Sequence, residues 1–352
     1  MDFLKQVPAA FSRDFAQARR KFLAACAKAG AEPQSFEHPL TGPDGEKLAT
    51  EVALIGRADA AKLLVLISGT HGVEGLAGSG CQITWLASEE AAALPADTAV
   101  LLVHLINPWG CAWRRRQTED NIDLNRNFLP FEGEALPANP QYRDVHPLIM
   151  SGSREPWRGQ DDATLAAALF AGQYEHEDGV GFGGAAPCWS HRTLRRILAE
   201  RTTRASRVAV IDIHTGLGPY GYGAILSTDS TSSPTFQRAR AWYGPSVTSL
   251  VDNPSAPYKP RGDLMSWVTR VIPAEVTAVA LEVGTYEIDS LLQLQVEDCR
   301  IEKFSSPLSA EGRSVREALT DFFFPATPDW LQSAAFRCLQ MIGQSLAGLS
   351  AR

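Results

Sequence analysis

A histidine and a carboxylate three residues apart, His71 and Glu74, lie in the glycine-flanked stretch Ser68-Gly69-Thr70-His71-Gly72-Val73-Glu74. On a turn at a strand's end, that spacing lets both side chains converge on one ion. Zinc favours such nitrogen and oxygen donors, and a catalytic zinc takes three protein ligands plus an open position for water. The pair therefore asks for a third ligand. His214, in Val208-Ala209-Val210-Ile211-Asp212-Ile213-His214-Thr215-Gly216, also ends an apolar run and precedes a small residue and a glycine. Each motif alone has an ordinary reading, since HxxE recurs by chance and a strand-end histidine is commonly a hydrogen-bonded structural residue. Two such histidines with Glu74, all at strand ends, favour a shared metal.

Glu282 closes another apolar run, Val276–Leu281. A carboxylate delivered there faces burial, which raises its pKa toward the range of a general base. Beside a zinc-activated water it would accept a proton and pass it to a leaving nitrogen. Without the metal candidates it would read as a salt-bridged strand end. Asp212 stands two residues before His214, linked to it by proximity in sequence alone. The stretch from Arg116 to Phe128 is dense in Arg and Asn. It reads either as a solvated loop or as an anion pocket, because Arg offers a planar bidentate fork to carboxylates.

The elements that must position these residues follow from apolar periodicity. Strands are expected at about 50–55, 63–67, 99–106, 207–213, 222–227 and 277–283. Helices are expected at about 10–29, 77–93, 162–174, 190–201, 235–243, 264–271, 309–324 and 329–349, the last two divided by Pro325 and Pro328. Residues 107–131 read as a loop. Alternating apolar runs and amphipathic helices predict an α/β fold with a mixed, mostly parallel central sheet flanked by helices. In such sheets ligands collect beyond the carboxyl ends of the strands, where His71, His214 and Glu282 would meet. No repeat or linker divides the chain, so one domain spans 1–352, with its core at about 50–287. Residues 136–187 form a candidate lid or rim, and His176 and His191 within or beside it read as structural.

The 352 residues are 45% hydrophobic, enough for a large core, and carry a net charge of -7. That charge gives no electrostatic case for nucleic acid. Six cysteines without CxxC pairing argue against a thiolate zinc site and a disulfide scaffold. No apolar window approaches a membrane span, and the charged N-terminus lacks a signal-peptide core. A cytoplasmic protein with buried free thiols is expected.

Together, His71-x-x-Glu74, Asp123-Leu124-Asn125-Arg126-Asn127-Phe128, His214 and Glu282 resemble, in order, the motifs of zinc carboxypeptidases of the carboxypeptidase A type. The chain is also similar to a bacterial subfamily of that superfamily of unknown function, with aspartoacylase-like deacylases as relatives. The resemblance covers about 50–287. It implies the zinc carboxypeptidase-like (phosphorylase/hydrolase-like) fold and one zinc per chain on His71, Glu74 and His214. It further implies Glu282 as general base, Arg116 polarising the scissile carbonyl, Asn125 and Arg126 holding a substrate carboxylate, and Asp123 orienting His71. Arg114 or Arg115 could replace Arg116 if the loop register shifts. The family's mobile tyrosine would be Tyr258, with Tyr286, Tyr220 and Tyr222 as competitors.

The implied activity is a zinc metallopeptidase or amidohydrolase that cuts an amide next to a free carboxylate. A metallocarboxypeptidase acting on small peptides and an N-acyl-amino-acid deacylase both fit. A binding protein that retains zinc or a carboxylate without turnover is the reading from another class. The complete ligand set with Glu282 speaks against it.

Overall fold

Eight strands form one sheet in a computed structural model that describes residues 3–133, 135–151, 162–253 and 261–351. The strands are β1 (Gln34–Thr41), β2 (Lys47–Gly56), β3 (Lys62–Ser68), β4 (Thr98–His104), β5 (Arg207–Gly216), β6 (Gly223–Ser227), β7 (Val247–Ser249) and β8 (Glu275–Gly284). Their order is β1-β2-β4-β3-β5-β8-β6-β7. The central run β4-β3-β5-β8 is parallel, while β1, β2 and the β6–β8 pairing are antiparallel. The expected mixed, mostly parallel α/β sheet is therefore present.

Helices cover both faces because successive residues of a strand point to opposite sides. On β3, Leu64 and Leu66 join one apolar cluster, while Leu63, Val65 and Ile67 join the other. The first cluster takes in helices α1 (Phe3–Ala10), α2 (Phe15–Lys28), α3 (Gly75–Leu86) and the C-terminal α13 (Pro328–Ser350). The second is closed by α8 (Trp189–Arg201) and α10 (Leu264–Val271). A third cluster, near the carboxyl end of β3, joins α6 (Pro140–Ile149), α7 (Asp162–Phe170), α11 (Ile288–Phe304) and α12 (Ala310–Phe323) to Val73. The remaining helices are α4 (Glu89–Ala92), α5 (Pro108–Ala112) and α9 (Pro234–Tyr243).

Several boundaries differ from the periodicity. The expected 10–29 helix starts only at Phe15, because Asp14 caps it: its Oδ1 accepts the Gln17 N–H at 2.7 Å, and a separate α1 ends at Ala10. The edge strand β1 carries Glu37, His38 and Pro39, a composition that hides it from an apolar count. The α11 helix escaped the same count, since its buried Leu291, Leu292 and Val296 are interleaved with charge. All six cysteines are free and buried. Among the described residues no helix is long and apolar enough to cross a membrane.

His104, at the end of β4, is fully buried; its Nε2 meets Ser79 Oγ at 2.8 Å and its ring stacks on Phe22 at 4.1 Å. Burial, assisted by the Arg19 charge, lowers its pKa to about 3. Burial likewise lowers His146 and His191 to about 4. The unfolded chain takes up these protons below about pH 6.5 and the folded chain does not. Stability is therefore undiminished above that value and falls as pH drops through the window down to about 3–4, by about 1.4 kcal/mol per unit for each fully discriminating group. Denaturant melts at pH 7.5, 6 and 5 should show this loss, and His104→Gln should flatten it.

Candidate active site

Three neighbouring parallel strands deliver the chemistry to one edge of the sheet. The turn after β3 carries His71 and leads into α3, whose first position is preceded by Glu74. His214 lies on β5, and its register partner on β8 is Glu282. The turn is held by backbone: Gly72 N–H donates to the Arg116 carbonyl at 3.1 Å and Val73 N–H to the Arg115 carbonyl at 2.8 Å. Gly72 has to be glycine, because a Cβ there would lie 2.2 Å from the Gly110 carbonyl carbon.

His71, Glu74 and His214 each offer a donor atom, and the three lie within 4.8 Å of one another. His71 Nδ1 is 2.7 Å from Glu74 Oε1, His214 Nδ1 is 3.2 Å from Glu74 Oε2, and the two Nδ1 atoms are 3.2 Å apart. The far ring nitrogens face carboxylates. His71 Nε2 is 3.3 Å from Asp123 Oδ1, and His214 Nε2 is 2.6 Å from Asp212 Oδ2. A ring whose Nε2–H points at a carboxylate aims a lone pair from Nδ1. Two such lone pairs and a carboxylate then converge on one point, an arrangement that suits a metal ion. The donor set thus fits a zinc ion.

The electrostatics agree. Burial alone would raise the Glu74 carboxyl, but His71 and His214 outweigh it and hold Glu74 well below the usual range. Burial would lower His214, yet Asp212 and Glu74 raise it well above the ordinary histidine value. The same pull that draws a proton there would draw a metal ion. Glu282 goes the other way, raised to about 7 by burial and by the Glu74 charge. Its Oε1 accepts the Leu217 N–H at 2.8 Å, which fixes the carboxylate at the cavity wall.

The Arg114-Arg115-Arg116 triplet divides its roles. Arg116 lines the cavity with His71, Glu74, His214 and Glu282, and its Nη1 donates to Asp123 Oδ2. Asp123 thereby bridges Arg116 and His71, and its own charge is held well below the usual range: burial opposes this, but Arg116, Arg126 and His71 outweigh it. Arg115 points away, buried against Asp298 on α11 with Nε 2.7 Å from Oδ2. Arg114 sits at a positive φ of 56° and lines an outer crevice beside Trp113. Neither replaces Arg116.

Asn125 and Arg126 separate. Asn125 lines the cavity, with its Oδ1 accepting the Leu264 N–H at 2.9 Å. Arg126 departs from the expected pairing: its guanidinium bonds the carbonyls of Asn125 at 2.8 Å and Phe170 at 2.6 Å, and it is not among the cavity's lining residues. Its role here is to tie the loop to α7. Tyr258 lies outside the described residues. Tyr220, Tyr222 and Tyr286 are exposed and do not line the cavity. His191 packs on Phe128 and His176 on His146, away from the metal candidates.

Sequence reasoning missed Thr70, whose Oγ1 donates to Asp212 Oδ1 at 2.7 Å, and Thr215, whose N–H donates to Glu74 Oε2 at 3.1 Å. The Thr-Gly and Thr-His dipeptides flanking both histidines were the available signal. Phe170, from the 136–187 segment, also lines the cavity, whereas residues 152–161 of that segment lie outside those described.

Residues 11–336 match the family described as Protein of unknown function (DUF2817). The chain belongs to that family. No curated protein matches the sequence. Among solved structures, this DUF2817 chain is similar to carboxypeptidase A from Helicoverpa armigera, with 13% identity, 96% of this chain and 73% of that one covered, and a TM-score of 0.53. It is also similar to bovine thrombin-activatable fibrinolysis inhibitor at 11% identity, covering 94% and 97%, with a TM-score of 0.48. An aspartoacylase family protein from Mesorhizobium loti matches at 17% identity, covering 77% and 66%, with a TM-score of 0.36. The first likeness gives this DUF2817 chain a carboxypeptidase-like fold; the other two scores carry no argument.

Proposed function

We propose that the chain is a zinc-dependent amidohydrolase of the metallocarboxypeptidase kind, cutting an amide next to a free carboxylate. The observation that carries this reading is the convergence of His71, Glu74 and His214 beside a buried Glu282. A zinc ion held by those three side chains would supply a Lewis acid for the carbonyl and a lowered pKa for water. Glu282, held at the cavity wall by Leu217 N–H, accepts the proton of the attacking water and returns it to the leaving nitrogen. Arg116 keeps one nitrogen on Asp123 and offers its remaining donors to the developing oxyanion. The Asn125 amide NH2 is the donor for the substrate's carboxylate, its oxygen being engaged by Leu264. Asp123 and Asp212 hold the two histidine rings in the orientation that ligation needs.

Metal analysis of the purified chain, paired with a screen of peptides and N-acyl amino acids, tests the reading. Zinc at one equivalent is expected, with amide cleavage abolished by a chelator and restored by zinc. Release of a C-terminal amino acid assigns a carboxypeptidase, and release of a carboxylic acid from N-acyl amino acids assigns a deacylase. Cleavage that persists undiminished in chelator would sink the metal mechanism. A zinc-loaded protein inert on both panels would support the binding-protein reading instead.

A further inference from the structure

The lining of the cavity is shared between two of the apolar clusters. Met265 and Ala280 belong to the second, which also holds Leu264, the partner of Asn125. Phe170, Leu291 and Phe323 belong to the third, and Leu217 packs against it. The third cluster touches the reacting groups twice. It includes Val73, between His71 and Glu74, and it adjoins Leu217, whose N–H holds Glu282. An amide held beside the metal candidates has two sides, and on the amidohydrolase reading Asn125 takes the one that bears the carboxylate. The acyl side then falls to the wall built by α7, α11 and α12.

Gln295 interrupts that apolar wall. It lies on α11 one turn after Leu291, so the two share a helix face, and both line the cavity. Gln295 is only 3% exposed, and its Nε2 is buried with no hydrogen-bond partner among the described residues. The contrast is with Gln82, an equally buried amide in the core. Gln82 Nε2 donates to the carbonyls of Leu66 at 2.9 Å and Val103 at 3.1 Å, and its Oε1 accepts Ser68 Oγ–H at 3.2 Å. A buried N–H left unmade costs more than an ordinary hydrogen bond gains, so an unpartnered amide in a cavity wall is poised for an incoming acceptor. The terminal amide torsion is broad and nearly two-fold, which lets the NH2 turn toward a ligand without moving α11. A neutral donor in an apolar wall suits a neutral oxygen, because no charge has to be stripped of water to reach it.

We propose that Gln295 is a specificity-determining residue for the acyl side of the substrate. Its NH2 donates to a neutral oxygen that the acyl chain carries beyond the scissile carbonyl. The favoured acyl group then holds a second carbonyl, in preference to a plain hydrocarbon chain or one that ends in a carboxylate. The inference rests on the amidohydrolase reading for which side of the amide faces α11.

The test uses three conjugates of one amino acid, with pentanoyl, levulinoyl or succinoyl as the acyl group. Pentanoyl and levulinoyl share a chain length and differ by one ketone oxygen, and succinoyl puts a carboxylate at the same place. Each is given to the zinc-loaded parent and to Gln295→Met, which keeps the side-chain length and removes the donor. The variant should melt no lower than the parent, since a buried unpaired amide is lost. One neutral hydrogen bond predicts a levulinoyl over pentanoyl preference in kcat/KM on the order of two- to tenfold in the parent. That ratio should fall to one or below in Gln295→Met. Equal or faster turnover of pentanoyl or succinoyl by the parent overturns the proposal, as does a levulinoyl preference that survives Gln295→Met. Calorimetric binding of the same conjugates to Glu282→Gln, with and without Gln295→Met, separates this failure from failure of the hydrolase reading. Levulinoyl-selective binding that Gln295→Met abolishes supports the subsite even where the parent turns nothing over, and unselective or undetectable binding overturns it.

Discussion

Glu282→Gln is expected to lower kcat by about 10²- to 10⁴-fold, the usual share of a positioned general base. The substitution is nearly isosteric, and the amide oxygen of Gln can still accept the Leu217 N–H that holds Glu282 Oε1 at 2.8 Å. What disappears is a basic oxygen for the water's proton and a carboxylic acid to protonate the leaving nitrogen. Glu282 is not one of the three converging donors, so zinc content should equal that of the parent. Thermal stability should hold or rise, because a buried carboxylate is replaced by a neutral group. This combination separates loss of chemistry from loss of site. If the variant binds ligand and turns substrate over like the parent, the assignment of the base is wrong.

Asp298→Asn should cost about 3–5 kcal/mol of unfolding free energy, the range for breaking a buried ion pair from one side. Arg115 and Asp298 are each 1% exposed, and their contact is 2.7 Å. Arg316 Nε lies 3.5 Å from the other Asp298 oxygen, so the variant leaves two guanidinium groups sharing Glu302, a partly exposed carboxylate that reaches Arg115 only at 3.9 Å. The effect reaches the metal candidates because the Arg115 and Arg116 carbonyls receive the N–H groups of Val73 and Gly72, the two residues between His71 and Glu74. Zinc retention in a chelator competition should therefore fall along with stability. Arg114→Ala, in the same triplet, is the control and should leave both near the parent values, since Arg114 faces the outer crevice. Denaturant titration of the two variants decides the matter: an Asp298→Asn loss below about 1 kcal/mol would mean the pair does not hold the turn.

The parallel core was legible because its strands are buried on both faces and so read as unbroken apolar runs, as in Leu63–Ile67 and Val208–Ile211. Charged or short elements were not, and β1, β7 and α11 went unseen for that reason. At the site, His71, Glu74, His214 and Glu282 could be read from their places at strand ends. The Arg-rich loop could not be resolved in the same way. Whether Arg115, Arg116 or Arg126 faces the cavity depends on Asp298, Asp123 and the Phe170 carbonyl, partners up to 183 residues distant in the chain.

The strand order β4-β3-β5-β8 places side by side residues that are made far apart in time. His71 and His214 are separated by 143 positions, and Glu282 follows later still. A ribosome adds residues at about 5–20 per second, so roughly 10–40 seconds pass between synthesis of His71 and synthesis of Glu282. Until β5 emerges, the His71–Glu74 turn has only two of the three converging donors, and until β8 docks the site has no Glu282. On the proposed reading, the nascent chain could cut no amide, its own or a neighbour's, before its sheet is nearly complete.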